Sequence, residues 1–220
     1  IDQTTDTPTN NFATWNPLNV PTSNAPTFSE GNLRTVTTTT GKSGGNSSIM
    51  VSEGKWYAEF KMIAENNSYM VGVDNAMQTT ARQNAFAGQS ASPTGYSIYN
   101  GDGNIYHDSA NSSYGVSYAT NDIIGIALDL DNSKLYFSKN GTFMNSGVPT
   151  SGATGTGAKS ITASSSTIDG GYTFSVGDGS TGGNCTIEAN FGNPPFAISS
   201  GNADGNGYGN FEYAVPSGYY

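Results

Sequence analysis

Apolar side chains recur along this chain mostly every second residue, and the 3.6-residue period of an amphipathic helix is nearly absent. In "GKWYAEFKMI", Trp56, Ala58, Phe60 and Met62 alternate with Tyr57, Glu59 and Lys61. Such a segment has one face for a core and one for solvent, as a half-buried strand requires. "SYMVGV" (68–73) follows after "ENN", and the two are expected to pair as a hairpin. "TGYSIYNGDGNIYHD" (94–108) reads as two short strands around "NGDGN", whose Asn-Gly and Asp-Gly steps favour tight turns. "YTFSVGDG" (172–179) and "CTIEANFG" (185–192) are expected to form a further strand pair.

"DIIGIALDLDNSKLYFSKNG" (122–141) departs from simple alternation. Residues 123–130 are apolar on both phases, the mark of a central strand covered on both faces. "DNS" (131–133) is a turn, since short polar side chains satisfy backbone groups there. "KLYFSKNG" returns with Leu135 and Phe137 inward and Tyr136 and Ser138 outward. Asp129 and Asp131 therefore mark a strand surfacing at a hairpin. The core expected from these phases contains Trp56, Phe60, Ile126, Leu128, Phe137, Ile187 and Phe191.

Three kinds of segment interrupt the strands. Residues 74–93 form a long connection, with one helical turn expected around "TARQNAFAG", and residues 145–168 offer little to bury. The ends are polar and Pro/Gly-punctuated, yet Phe12, Trp15, Phe28, Phe211 and Tyr213 are placed to pin them down. The expected organisation is an arm over 1–27, an all-β, two-sheet antiparallel sandwich with long loops over 28–197, and an extension over 198–220. That extension is expected to continue into a longer chain.

Charge narrows the possible partners. With 17 acidic and 8 basic residues the formal net charge is −9, so no basic surface is available to displace counterions from nucleic acid. Anionic membrane surfaces are disfavoured in the same way, and no apolar run approaches the roughly 20 residues needed to span a bilayer. The single cysteine, Cys185, shares its phase with Ile187, Ala189 and Phe191, which fits a buried thiol on a strand's inner face.

Several of these strings resemble the SPRY domain family, and they occur in that family's order. They are "GKWYAEFKM", with Glu59 at the family's usual acidic position, then "YMVGVDNA", "GYSIYNGDGNIYH", "DIIGIALDLDNSKLYFSKNG" and "IEANFGNPPF". Together they span 54–196, about two thirds of the chain. The flanks "TDTPTNNFATWNPL" and "FEYAVPSGYY" resemble the borders of SPRY-type modules in bacteriophage tail-fibre, capsid-fibre or decoration proteins. The resemblance implies a concanavalin-like jelly-roll sandwich with no reaction of its own, binding proteins, peptides or, as in related sandwiches, glycans through loops at one edge. It also implies a virion, extracellular setting, within which a homo-oligomeric assembly would be in keeping.

A glycoside hydrolase needs two carboxyls flanking the scissile bond. Of the Glu residues only Glu59 and Glu188 lie within clear strands, and no catalytic strand motif accompanies them. The sole histidine, His107, has no Gly-x-Ser-x-Gly elbow to serve and is too few for a His-based metal site. "NGDGN" and "DLDN" offer hard oxygen ligands for calcium, but neither string continues into the spaced acidic ligands such a loop requires, so no cofactor is expected. Recognition remains. The candidate ligand-binding residues are Arg82 and Asn84 in the 74–93 loop, Tyr99, Asp102, Asn104 and His107 around "NGDGN", and Tyr114 and Tyr118 beyond it. The reading is a non-enzymatic virion module recognising a virion protein, a host-surface protein or a neutral glycan. The alternatives are a lectin-like domain of a secreted protein and a purely structural decoration domain.

Overall fold

The computed structural model describes residues 11–38, 40–65, 68–75, 85–89, 94–180 and 184–220. Within them, alternating side chains build two antiparallel sheets packed face to face. The larger sheet holds β1 (Thr27–Ser29), β2 (Arg34–Val36), β14 (Cys185–Asn190), β4 (Lys55–Glu65), β9 (Ile123–Asp129), β10 (Lys134–Lys139) and β11 (Thr142–Phe143), in that order. β12 (Lys159–Ser160) also pairs with β10. The smaller sheet runs β3 (Ser43–Asn46), β13 (Thr173–Asp178), β5 (Tyr69–Asp74), β6 (Tyr96–Tyr99), β7 (Ile105–His107) and β8 (Ala110–Ser112).

Two expected hairpins form. β9 and β10 pair from Asp129↔Lys134 to Ile124↔Lys139, and β6 and β7 pair across "NGDGN" through Ser97↔Tyr106 and Ile98↔Ile105. Two others do not. β4 lies in the larger sheet between β14 and β9, while β5 lies in the smaller one between β13 and β6. β13 and β14 are divided between the sheets in the same way, so neither sequence-adjacent pair is a hairpin. Alternation specifies which face of a strand is buried but not which neighbour it takes, and both connections cross from one layer to the other.

The inter-sheet core collects the inward phases: Phe60, Ile124, Ile126, Leu128, Leu135, Phe137 and Ile187 from the larger sheet, and Tyr69, Val71, Val73, Ile98 and Val176 from the smaller. Of the seven expected core residues six are buried; Trp56 is only half-buried, at the open end of β4 where its Nε1 donates to the Glu53 carbonyl at 2.7 Å. Cys185 is a buried free thiol. Trp15 is fully buried against Phe60 and Phe191, at 5.9 and 5.4 Å between ring centroids, so the polar arm contributes to the core itself.

A second, smaller core lies on the other side of the larger sheet. There Tyr57, Ala127 and Tyr136 meet Phe211 and Tyr219 of the C-terminal extension. Tyr136 and Ser138 hold the outward phase expected of them but are buried under this cover. In residues 145–168, where short 3-10 turns alternate with irregular backbone, Pro149 and Ile161 are buried and Ala158 packs on this second core. Of the 74–93 segment, residues 74–75 and 85–89 are described; of the helical turn expected around "TARQNAFAG" (80–88), residues 85–88 form a non-helical turn and the remainder falls outside the described residues.

Candidate functional site

The acidic side chains that alternation places on the larger sheet's outer face are spent on structure. Glu59 is wholly buried. Its carboxylate accepts from the Tyr57 hydroxyl (3.2 Å), the Asn190 amide (3.1 Å) and the backbone N–H groups of Glu212 (2.9 Å) and Tyr213 (2.8 Å). Burial raises its pKa, and these four donors hold it back. Glu188, the other hydrolase candidate, is buried beside Arg34 at 3.7 Å. A carboxylate enclosed by four protein donors has no lone pair turned to a substrate, so Glu59 acts as a clamp on the extension.

The turn carboxylates are likewise occupied. Asp129 is buried and accepts from the backbone N–H (3.0 Å) and side-chain amide (2.8 Å) of Asn132, with Lys55 Nζ at 3.3 Å. Asp131 accepts from the Gly54 N–H at 2.8 Å. In "NGDGN", Asp102 accepts from both the backbone and the side chain of Asn104, each at 2.9 Å, which is a turn closing on itself. Among the described residues no group of three or more His, Cys, Asp or Glu side chains gathers as metal ligands would. No helix among them is long and apolar enough to cross a membrane.

The candidate binding residues that are described separate into three places. Arg82 and Asn84 lie outside the described residues. Tyr114 and Tyr118 belong to the core rather than to a loop surface: the Tyr118 hydroxyl donates to the carbonyls of Ile98 (2.8 Å) and Tyr69 (3.2 Å), and the Tyr114 hydroxyl accepts from the Phe137 N–H (3.3 Å). His107 stacks on Tyr96 at 4.0 Å between centroids, 8° from parallel, with Nδ1 3.0 Å from the Gly95 carbonyl. It points to the inner phase, away from Tyr99, which leaves Tyr99, Asp102 and Asn104 together at the β6–β7 turn.

Around Tyr99 the outer face of the smaller sheet opens into a cleft of about 380 Å³. One wall is the Ala85–Gln89 segment, which lies flat on the sheet. Its seat is made by missing side chains: a Cβ on Gly177 would sit 2.8 Å from Phe86 Cβ, and one on Gly44 would sit 3.0 Å from the Ala85 carbonyl. The Ser97 hydroxyl donates to the Ala87 carbonyl at 2.6 Å, and the Ser109 N–H to that of Gly88 at 2.9 Å. Phe86 thereby meets Tyr106 edge to face at 5.6 Å, and Tyr106 meets Tyr99 at 6.2 Å. Lys42 Nζ stands 5.7 Å over the Phe86 ring, and Met70 forms part of the lining.

Phe86, Tyr106, Lys42 and Met70 were not among the sequence-derived candidates. Tyr106 alternates with Ile105 and could have been read as the outward partner of Tyr99. The others gave no signal, because their place depends on where the long loop lands.

Comparison with known proteins agrees with this architecture. The SPRY domain of human HERC1 superposes with a TM-score of 0.59 at 17% identity, covering 80% of this chain and 96% of that one. Stonustoxin superposes with a TM-score of 0.54 at 15% identity over 81% of this chain, which spans only 27% of the toxin chain. A search of curated proteins finds no match. The SPRY domain family model matches residues 55–166, just over half of the sequence, and the chain belongs to the SPRY domain family.

Proposed function

We propose that this chain is a non-enzymatic recognition module of a bacteriophage virion, part of a fibre or decoration protein acting outside the cell. SPRY domains generally serve as protein-interaction modules. The single observation that carries the reading is the cleft on the smaller sheet. Phe86, Tyr99 and Tyr106 supply rigid aromatic contact area with polar handles, and Lys42 and Gln89 supply polar anchors. An extended segment of a second protein, from the particle or from the host surface, suits such a cleft. The acidic surface of a −9 chain repels nucleic acid and favours neutral or basic partner segments. The flanking strings "TDTPTNNFATWNPL" and "FEYAVPSGYY" support the virion setting.

The test is retention of the purified chain on host cells and on immobilised proteins from the disassembled particle. Tyr106→Ala and Tyr99→Ala should each reduce retention about tenfold, the effect of roughly 1.4 kcal/mol lost from an interface. Retention that ignores both substitutions would overturn the cleft as the binding surface.

A further inference from the structure

A second concavity, remote from that cleft in its lining, lies where the N-terminal arm and the C-terminal extension meet at the open end of the sandwich. It encloses about 250 Å³. Its floor is the edge of the inter-sheet core, Phe174 and Phe191. Its walls are Trp56, Tyr220, Phe12 and Tyr208, and its polar groups are Asn11, Asp204 and Asn206. Tyr208 and Tyr220 are 48% and 41% exposed, a large outlay of aromatic surface for a chain that buries most of its rings.

The walls are fixed in place. Tyr220 is pinned by its backbone, which accepts from the Tyr57 N–H at 2.7 Å and donates to the Lys55 carbonyl at 2.9 Å. Trp56 meets the Tyr220 ring edge to face at 6.4 Å. Asp204 Oδ1 accepts from the N–H groups of Asn206 (2.8 Å) and Tyr208 (2.9 Å), which holds the 204–208 turn rigid. No partner engages Asp204 Oδ2 among the described residues. Beyond the ridge formed by Phe12 and Tyr208 a second hollow of about 400 Å³ continues the groove past Asn193 and Asn210.

From this arrangement we infer a binding site for a neutral glycan, with one pyranose ring held between Trp56, Tyr208 and Tyr220 and its hydroxyls met by Asp204 and Asn206. The volume decides the size: it falls just below the roughly 300–1,000 Å³ of drug-sized sites and so takes one small ring. The polar groups decide the class. A cation would ask for aromatic faces and carboxylates alone. Here two amides bring donors as well as acceptors, and ring hydroxyls use both. The continuing hollow lets the chain of a longer glycan run on across the Phe12–Tyr208 ridge.

The experiment titrates the intact chain with methyl glycosides of glucose, galactose, mannose and N-acetylglucosamine, and with tetramethylammonium, following tryptophan fluorescence and tyrosine NMR signals. At least one glycoside should saturate, and its disaccharide should bind more tightly. Tyr208→Ala should weaken it at least tenfold. Asp204→Asn keeps the Oδ1 that holds the turn and replaces only the free oxygen, so it reads the ligand contact without unfolding the turn, and it too should weaken binding. Tyr99→Ala and Tyr106→Ala should leave glycoside binding unchanged, which separates this site from the cleft. Absence of saturation by every glycoside, saturation by tetramethylammonium alone, or glycoside binding indifferent to both Tyr208→Ala and Asp204→Asn would overturn the assignment.

Discussion

The outer faces of the two sheets are finished in opposite ways. Over the larger sheet, the C-terminal extension lays Phe211 and Tyr219 on Tyr57 and Tyr136, and Glu59 locks the extension's backbone down from within. Every polar atom of that carboxylate is spent. Over the smaller sheet, the described cover is the Ala85–Gln89 segment on a glycine seat, and beside it Tyr99 and Tyr106 remain half-exposed around a cleft. A face closed by its own chain adds to stability and leaves no aromatic surface of the covered strands open to a partner. A face left partly open keeps aromatic surface in reserve, which is the physical condition for recognition.

Breaking the closed face should produce the largest effect. Phe211 is 2% exposed and meets Tyr57 edge to face at 5.3 Å. Phe211→Ala should destabilise the fold by about 3–5 kcal/mol, the usual cost of an aromatic cavity. Urea denaturation measures it. A cost below that of an exposed substitution would show that the second core is not cohesive. Glu59→Ala comes next, at about 2–4 kcal/mol, because it strands two backbone N–H groups and the Asn190 amide, each costing about 1–3 kcal/mol when left unmet. Limited proteolysis should then cut within 198–212 before the strands.

These residues also show how much the sequence can convey. Period-two patterning places Phe60, Ile126, Phe137 and Ile187 on the core side, because pleat geometry alone decides it. The same patterning puts Glu59 and Tyr136 outward, and outward they are. Nothing local reveals that the C-terminal extension, 153 residues after Glu59 at Glu212 and far beyond Tyr136 as well, covers them. Strand partners were lost for a related reason: β4 and β5 are close in sequence, but a connection that crosses layers looks the same as one that turns back. At the "DLDN" turn the position of Asp129 was legible, whereas its burial beside Lys55 depends on strand β4. The cleft was half legible. Tyr99 stands in a turn-flanking string, but Phe86 becomes a wall only through glycines at 44 and 177 that sit on two other strands.

At the end of the sandwich, where both sheets are tied regardless of face, the difference can be sharpened by pH. Asp178 closes β13, buried, accepting from the Thr37 hydroxyl at 3.0 Å and the Ser180 N–H at 2.7 Å. Burial pushes its pKa from an ordinary 3.8 up to about 6. The folded chain thus holds this proton after the unfolded chain has released it. Stability therefore falls as pH rises from about 4 to about 6, and the penalty is complete above that window. At about 1.4 kcal/mol per pH unit it amounts to about 3 kcal/mol. Asp178→Asn should flatten this part of the stability profile, as urea midpoints at pH about 4 and about 7 would show. A profile with the slope intact in the variant would assign the proton to another group, Glu59 and Glu188 being the other carboxyls that burial raises.

The smallest stability effect belongs to the open face, and it makes the contrast most exacting. Tyr99 is half-exposed, and truncation removes its edge contact with Tyr106 at 6.2 Å and its packing over Gly101. Tyr99→Ala should cost about 1 kcal/mol of stability, in the range of one aromatic pair. Its effect on partner retention should be of at least that size, whereas Phe211→Ala, measured at a temperature where it remains folded, should leave retention unchanged. The two substitutions thus exchange rank between the two assays if one face serves stability and the other recognition. Should Phe211→Ala weaken retention as much as Tyr99→Ala does, the faces would be coupled through the sandwich, and the division of labour between them would fail.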